Sequence, residues 1–288
     1  MRKVVSLLFA LAMAAGAMAQ DESKSLEIKS ASVQFGLYTG DAGVSNFIDF
    51  QKLAPTMTLT ENDLVGFSNQ NGYIDNSGPA FSANLIFAKP NAGNAARFNL
   101  EYRVGVSFQQ VDLMNQNYHR EDEYRIDTLL SSRNGKEFFV DSIQNQNYYL
   151  TYTQRHVMLD GDVTISTNPQ KRWKFYAGIG VSLGLSVSPT TEISYTSNSY
   201  IEGRIDEDEE FYLESDGNTE RFSNKGGFFG RVYLPLGIDF RIGKKKESLT
   251  KYHLFVESRQ SLNFQSVSEL SSITTIASTG GVGMRYNF

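Results

Sequence analysis

The sequence contains no cysteine, and its 288 residues include only 6 prolines and 3 histidines. Without cysteine the chain can form neither disulfide bonds nor thiolate metal sites, and no lipid can be attached through a thiol. The three histidines include no His-Glu-x-x-His motif, so zinc-dependent hydrolysis has no sequence support. We therefore predict no catalytic residue, no metal ligand and no cofactor, and we predict that the protein is not an enzyme.

Long apolar runs are absent after residue 20, so we expect no transmembrane helix in that part of the chain. Acidic residues outnumber basic ones by 32 to 27, giving a formal net charge of −5, and the basic residues are not clustered. A nucleic-acid partner is therefore not expected. The mean hydropathy is −0.33, although 12% of residues are aromatic. This combination is typical of a membrane β-barrel, whose strands are only half apolar.

Residues 1–19 have the features of a cleaved signal peptide. Arg2 and Lys3 are followed by an apolar run over 4–15, and Ala17-Met18-Ala19 forms a small-x-small cleavage site. An N-terminal membrane anchor is the alternative, but the run is short for a bilayer span. We predict export of the chain and a single domain over 20–288.

Residues 97–109 alternate strictly between two kinds of side chain. The apolar set is Phe98, Leu100, Tyr102, Val104, Val106 and Phe108. The intervening residues include Glu101, Arg103 and Gly105. Because successive side chains of a strand point to opposite faces, this pattern predicts a strand with one apolar face and one polar face.

Seven further segments show the same alternation, which gives an even total of eight strands. They are 31–38, 80–88, 149–166, 173–187, 228–241, 252–264 and 274–288. The connections between the segments alternate in length. Those near 89–96, 168–172 and 243–251 are short, whereas 39–78, 112–148 and 188–227 are long. This rhythm predicts an up-and-down antiparallel transmembrane β-barrel, with short turns in the periplasm and long loops outside the cell.

Two of the long connections contain distinct motifs. Arg133-Asn134-Gly135-Lys136 is a hairpin signal, so 129–140 could add a strand pair and raise the count to ten. The acidic run Asp206–Glu210 is interpreted as a solvated surface segment. Calcium binding by this run is disfavoured because it lacks the spaced oxygen ligands and the glycine of a calcium loop.

Side-chain size indicates which strand face lines the lumen. An eight-stranded barrel has room only for side chains, and bulky apolar groups from every strand would not fit inside it. We therefore predict that the apolar face contacts lipid and that the charged face fills the lumen as an ion-pair network. The predicted network residues are Glu101, Arg103, Asp160, Asp162, Arg231, Asp239, Glu257, Arg259 and Arg285. Within it we expect Arg103 to pair with Asp160 or Asp162, and Glu257 to pair with Arg285.

Aromatic residues recur at one end of the predicted strands and on the outward face. They are Phe87, Phe98, Trp173, Phe240, Tyr252, Tyr286 and Phe288. Aromatic rings favour the boundary between hydrocarbon and headgroups. These residues predict a girdle at the periplasmic interface.

The C-terminal pattern Val282, Met284, Tyr286 and Phe288 resembles the terminal signature of bacterial outer-membrane barrels. Together with the strand count, the chain resembles small single-chain barrels such as the OmpA transmembrane domain and OmpX. The resemblance implies an integral position in the Gram-negative outer membrane, with outer-membrane lipid as surroundings. It also implies recognition of the Phe288 strand by the barrel-assembly machinery.

Several functions fit this architecture. The first is a structural or surface-interaction protein with a charge-plugged lumen, whose long loops bind an extracellular ligand or glycolipid. The alternatives are a porin-like channel for small solutes and a soluble exported barrel with an apolar ligand inside. A lipid-modifying or hydrolytic enzyme is a further alternative, for which the only candidate is His156 near Asp160.

Overall fold

The computed structural model describes residues 26–40, 46–70, 76–88, 98–130, 137–167, 171–203, 211–243, 247–270 and 272–288. The predicted signal peptide, the acidic run Asp206–Glu210 and the segment Arg133–Lys136 lie outside these ranges. Among the residues described, no helix has the length and apolar character needed to cross a membrane.

Ten β-strands and two short α-helices form the described structure. The strands are β1 (Glu27–Gly40), β2 (Ser68–Asn69), β3 (Asn76–Ala88), β4 (Phe98–Leu130), β5 (Glu137–Thr167), β6 (Trp173–Gly203), β7 (Phe211–Ser223), β8 (Phe228–Arg241), β9 (Tyr252–Gln265) and β10 (Ile273–Asn287). The helices are α1 (Phe47–Leu53) and α2 (Glu247–Thr250), and a 3-10 turn covers Glu61–Leu64.

Eight of the strands close into a ring. The order around the ring is β1, β3, β4, β5, β6, β8, β9 and β10, and β10 pairs antiparallel with β1 from Ser30↔Asn287 to Gly40↔Ala277. Every strand pairing in this ring is antiparallel. The predicted eight-stranded up-and-down barrel is confirmed.

The two faces of the barrel wall divide as the alternation predicted. Leu100, Leu159 and Leu236 point outward and are exposed, with Leu159 68% accessible. On the inward parity, Glu101 and Arg231 are buried. The barrel therefore has an apolar exterior and a charged interior.

Two of the predicted long loops are strands in the structure. β4 and β5 stay paired from Phe98↔Thr167 to Leu130↔Glu137, and β5 and β6 stay paired up to Val140↔Gly203. β7 pairs with the upper half of β6, whereas β8 pairs with its lower half. The long connections predicted over 112–148 and 188–227 are present, and paired strands make up most of the residues that the structure describes in them.

These extensions form what we call the projecting sheet, which comprises Asp112–Leu130 of β4, Glu137–Thr153 of β5, Thr190–Gly203 of β6 and all of β7. At about 3.3 Å per residue, its longest strand reaches about 60 Å beyond the barrel. A short pairing of β2 covers part of one edge at Ser68↔His119 and Asn69↔Tyr118. The two strands outside the ring are β2 and β7, which bring the described strands to ten. Residues 129–130 and 137–140 are the ends of β4 and β5 and do not form a separate pair.

Residues 46–70, which we call the cap, fold over the barrel end opposite the predicted aromatic girdle; we call this end the mouth. Asn46 begins α1 with a capping box, because its side chain accepts a hydrogen bond from the Asp49 amide at 2.9 Å. Phe47, Phe50 and Leu53 are the buried residues of the helix. The described part of the first long connection is therefore a folded element that packs against the barrel end.

Candidate functional site

The lumen contains two groups of ion pairs, and the first lies toward the girdle end. Glu101 accepts hydrogen bonds from Lys174 Nζ at 2.9 Å and from Lys29 Nζ at 3.0 Å. Its second oxygen, Oε2, lies 3.3 Å from Arg285 Nη1. Three cations from three strands therefore converge on one carboxylate.

Arg285 connects this carboxylate to Asp239. The same Nη1 atom lies 3.3 Å from Asp239 Oδ2, and Asp239 Oδ1 lies 2.5 Å from His253 Nδ1. The other ring nitrogen of His253 is 3.0 Å from the Asn287 amide nitrogen. The first group therefore continues across β8, β9 and β10.

The second group lies nearer the mouth. Arg103 Nε donates to Asp162 Oδ1 at 2.5 Å, and Arg103 Nη1 donates to Glu257. Glu257 also accepts from Arg259 Nε at 2.6 Å. Asp160 completes the group, because its two oxygens lie 3.2 Å from Arg259 Nη1 and 3.4 Å from Arg231 Nη2.

All nine predicted network residues lie inside the barrel, and each is no more than 6% exposed. Arg103 contacts Asp162, as the sequence suggested. The expected Glu257–Arg285 pair is replaced by contacts of Glu257 with Arg103 and Arg259. Neighbouring strands are staggered in a barrel, so counting residues from the strand ends misplaced these two residues.

Two cations and three rings of the lumen were not among the predicted network residues. Lys174 lies on the inward parity of its segment, which was a usable signal, and Lys29 precedes the predicted first strand. The rings of Tyr176, Tyr233 and Phe255 are also buried inside. These rings share the inward parity with the charged residues, so parity and not aromatic character decides which side chains enter the lumen.

Glycines make room for these rings. A Cβ atom on Gly180 would lie 2.4 Å from the Tyr233 ring, and one on Gly237 would lie 2.3 Å from the Tyr176 ring. The guanidinium carbons of Arg231 and Arg259 lie 5.1 and 5.2 Å from the Tyr233 centroid. The rings therefore pack against the arginines that the ion pairs hold.

His156 is hydrogen-bonded inside the lumen, which the sequence favoured over an acid–base pair with Asp160. Its Nε2 lies 2.9 Å from Gln154 Oε1, its Nδ1 lies 3.3 Å from Gln109 Nε2, and its ring stacks on Phe229 at a centroid distance of 4.2 Å. Both ring nitrogens are therefore engaged by amide groups, which is the geometry of a structural residue.

The pentapeptide Gly180–Gly184 matches the Gly-x-Ser-x-Gly pattern of a nucleophile elbow. A nucleophile elbow places its serine at a turn from a strand into a helix. Here the pattern lies within β6, and Ser182 Oγ accepts a hydrogen bond from Arg231 Nε at 2.8 Å. The motif is therefore part of the barrel wall.

The predicted girdle residues lie at one end of the barrel. Trp173 and Phe240 face each other across β6 and β8 with ring centroids 4.5 Å apart, and the Arg172 guanidinium lies 4.4 Å from the Phe240 centroid. Tyr252 and Tyr286 are similarly paired at 5.2 Å. The remaining girdle residues, Phe87, Phe98 and Phe288, occupy the same strand ends.

The cap encloses an apolar core above the mouth. The buried residues of this core come from the cap, from the projecting sheet and from the connection after β9. They are Phe47, Phe50, Leu53, Ala54, Leu59, Leu113, Met114, Leu150, Tyr152, Ile193 and Val267. Burial of so many large side chains against the sheet fixes the cap in place.

Polar contacts also hold the cap to β7 and its neighbours. The backbone amide of Thr58 donates to Glu220 at 3.2 Å, and the Thr58 hydroxyl donates to the same carboxylate. The Asn224 side chain donates to the Leu53 carbonyl at 2.6 Å. Within the cap, hydrogen bonds from the Thr60 hydroxyl and amide lower the pKa of Asp63.

No protein-family model and no curated protein matches the sequence. Among solved structures, the attachment invasion locus protein Ail of Yersinia pestis matches at 9% identity, covering 91% of this chain and 100% of that chain with a TM-score of 0.27. Neisserial surface protein A matches at 9% identity over 90% of this chain and 97% of that chain, with a TM-score of 0.28. These matches are small outer-membrane β-barrel proteins.

Proposed function

We propose that the protein is an integral outer-membrane barrel with a closed lumen, whose projecting sheet and cap form a surface-exposed interaction region. One observation carries this proposal. The strands exchange their polar and apolar faces where the barrel becomes the projecting sheet. Such an exchange is expected where the surroundings change from lipid to water.

The exchange occurs at two irregularities in strand pairing. In β4 the extra residue is Leu113, and in β6 Ser188 and Pro189 together lie opposite Gln154 of β5, so that β6 also has one extra residue. Ser188 has a φ of 51°, a left-handed conformation that is uncommon for a residue other than glycine. Each bulge reverses which side chains of its strand point inward, and both bulges lie at the same height on the barrel, next to Thr153 of β5. Bulges are frequent at the rims of barrels.

The apolar belt below this level has the height of a membrane. Along β8, outward apolar residues extend from Phe228 to Phe240. Their twelve residue steps of about 3.3 Å, at a tilt of about 40°, span about 30 Å. This height is close to the hydrocarbon thickness of a bilayer.

The absence of cysteine allows a direct test by site-specific labelling. Tyr149 and Leu159 both point outward from β5, above and below the level of the bulges. In intact cells, a membrane-impermeant maleimide should label Tyr149→Cys and should leave Leu159→Cys unlabelled until detergent is added. Equal labelling of both without detergent, or recovery of the protein in the soluble fraction, would support a soluble exported barrel.

We propose that the ion-pair network closes the lumen. The support is the density of contacts among buried carboxylates, guanidinium groups and rings from all parts of the barrel wall. Purified protein in planar bilayers should produce no stable channel openings. Frequent long-lived openings would favour the porin-like alternative.

The projecting sheet is the proposed interaction region, for an extracellular ligand or a glycolipid. Replacing Asp127–Phe139 by a two-residue turn should abolish binding of the nanodisc-embedded protein to a glycan array and to lipopolysaccharide vesicles. Heat-modifiable migration in gels controls for barrel integrity. If the trimmed protein binds as the full chain does, the hairpin is not the site. No catalysis is proposed, because His156 is engaged by amide groups.

A further inference from the structure

A groove of about 570 Å³ lies on the outer surface of the barrel wall. Its floor consists of two adjacent outward rows of aliphatic side chains on β1, β3 and β4. They are Ala31, Val33, Ala83, Leu85, Val104 and Val106. All but one of these residues are alanine or valine, whose side chains are shorter than those of the neighbouring rows.

Aromatic side chains border this floor on both sides. In the strand register, the next outward row toward the mouth contains Phe35, Phe81 and Phe108, and the next row toward the girdle contains Phe87 and Tyr102. The rings of Phe35 and Phe81 pack against each other with centroids 4.9 Å apart. The floor therefore lies lower than both of its borders.

The groove begins at the girdle and rises along the wall. Its girdle end is lined by Tyr252 and Tyr286. Tyr286 is next to the last residue of β10, whereas Leu159, at the other end of the groove, lies well inside β5. Four strand spacings of about 4.8 Å separate β10 from β5, which gives a length of about 19 Å. This shape matches an elongated hydrocarbon chain that enters at headgroup level.

A cation lies at the girdle end of the groove. Lys251 immediately precedes β9, and its Nζ lies 5.8 Å from the centroid of the Tyr286 ring. The side chain is half-buried and pairs with no carboxylate whose side chain the structure describes. Arg172, which lies over the ring of Phe240 elsewhere in the girdle, donates instead to the Arg241 carbonyl at 3.3 Å. Lys251 is therefore available to a phosphate group at the height of the lipid headgroups.

We propose that the groove binds one glycerophospholipid molecule, with an acyl chain on the aliphatic floor and the phosphate beside Lys251. The proposal rests on the membrane orientation given under the proposed function and adds a defined lipid position to it. A second copy of the chain fits less well. The convex wall of another barrel would touch the aromatic borders before it reached the floor, and a symmetric pair would bring two like charges together at the girdle.

Native mass spectrometry of the full chain with palmitoyl-oleoyl phosphatidylglycerol tests the site. Protein in detergent, titrated with this lipid, should retain one lipid per chain at a collision energy that removes all further lipids. Retention of no lipid, or of several lipids that leave at the same energy, would contradict a defined site. A dimer that excludes the lipid would assign the groove to a second copy and would overturn the proposal.

Two alanines provide a matched pair of variants. Ala83 and Ala177 both point outward, from β3 and β6, but only Ala83 lies in the groove. A phenylalanine at position 83 would displace about two methylene groups of the bound chain, so Ala83→Phe should lower the lipid affinity by about tenfold. Ala177→Phe should bind the lipid as the unaltered protein does. Equal affinities of the two variants, both with heat-modifiable migration, would contradict the proposal.

The phosphate contact is tested by charge removal. Lys251→Gln should weaken phosphatidylglycerol binding by about threefold, as expected for an ion pair near the surface, whereas Arg172→Gln should have no effect. Diacylglycerol with the same two chains lacks the phosphate and should bind equally to the unaltered protein and to Lys251→Gln. A Lys251→Gln effect of the same size on both lipids would show that no phosphate contact exists.

Failure of this proposal can be separated from failure of the membrane orientation. Labelling of Tyr149→Cys and Leu159→Cys decides the orientation without reference to any bound lipid. A protein that shows the expected labelling but retains no phospholipid would refute the groove site alone.

Discussion

The lumen of the barrel and the core beneath the cap are two interiors built on the same three strands, β4, β5 and β6. In the lumen these strands present Arg103, Asp160 and Lys174, whereas beneath the cap they present Met114, Leu150 and Ile193. The first interior is held by ion pairs and the second by apolar packing. In the proposed membrane orientation, the opposite face of these strands contacts lipid in the first case and water in the second.

This difference shows that the composition of an interior depends on what lies outside the wall. A lipid-facing surface must be apolar, which leaves the charged residues of an alternating strand for the inside. Above the bulges, the polar side chains of a strand can contact water on the outside, and the apolar side chains can pack together on the inside. The comparison can be tested by changing each interior and each exterior separately.

The largest effect is expected from breaking the lumen network at Glu101. Glu101→Gln leaves Lys29, Lys174 and Arg285 without their shared carboxylate. Removing one partner of a buried ion pair costs about 3–5 kcal/mol, and urea unfolding in micelles measures it. Glu192→Gln removes the exposed pair with Arg221 and should cost less than about 1 kcal/mol. Equal losses in the two variants would contradict an ionic core.

A comparable but local effect is expected beneath the cap. Phe50 is fully buried, and Phe50→Ala should weaken cap docking by about 3–5 kcal/mol. Limited proteolysis should then cleave within 46–70 while the barrel retains heat-modifiable migration. Ile48 is exposed on the same helix, so Ile48→Ala should remain resistant. Simultaneous loss of barrel folding in Phe50→Ala would show that the two interiors are not independent.

A slightly smaller effect is expected on the outer surface. An arginine at the lipid-facing position Leu159 should destabilise the folded protein in vesicles by about 2–4 kcal/mol. Arginine at Tyr149, on the same face of β5 above the bulges, should change stability by less than about 0.5 kcal/mol. If both substitutions are tolerated, the proposed membrane boundary is misplaced.

The smallest effect concerns the cap alone and depends on pH. The pKa of Asp63 is below its ordinary value of 3.8 because Thr60 donates two hydrogen bonds to the carboxylate. Its contribution to cap stability is therefore present above pH 3.8 and is lost as the pH falls through the lowered pKa. Hydrogen exchange of the 61–64 turn should rise over that interval, and Asp63→Asn should show no such step. If the exchange of the Asp63→Asn variant rises by the same amount over this pH interval, the rise is caused by another titrating group.

Strand alternation predicted the barrel because lipid on one side and a narrow lumen on the other constrain every residue. Segment 97–109, for example, lies within β4 with its predicted faces. The upper half of β4 could not be recognised from the sequence, because Asn115–Arg125 is polar on both faces except where the cap touches it. The upper half of β4 is a strand because it pairs with β5, and not because its own sequence alternates.

The candidate site shows the same limit at the level of single residues. Burial of Glu101 and Arg103 followed from parity, which a sequence records directly. The choice of ion-pair partner could not be predicted from parity, because the stagger of the strands in the ring places Glu257 beside Arg103 and Arg285 beside Asp239. Pair identity depends on register across closing strands, and the sequence contains no local signal for that.

The projecting sheet, unlike the ring beneath it, ends in strand edges, and one of them is β4 beyond its short pairing with β2. That edge carries Arg120, Glu121, Asp122 and Glu123 in succession. Unpaired edges of neighbouring molecules held at one height in a crowded membrane would otherwise join into continuous sheets. A dense row of charges makes such self-association unfavourable, so the described part of this edge resists polymerisation through the longest strand of the projecting sheet.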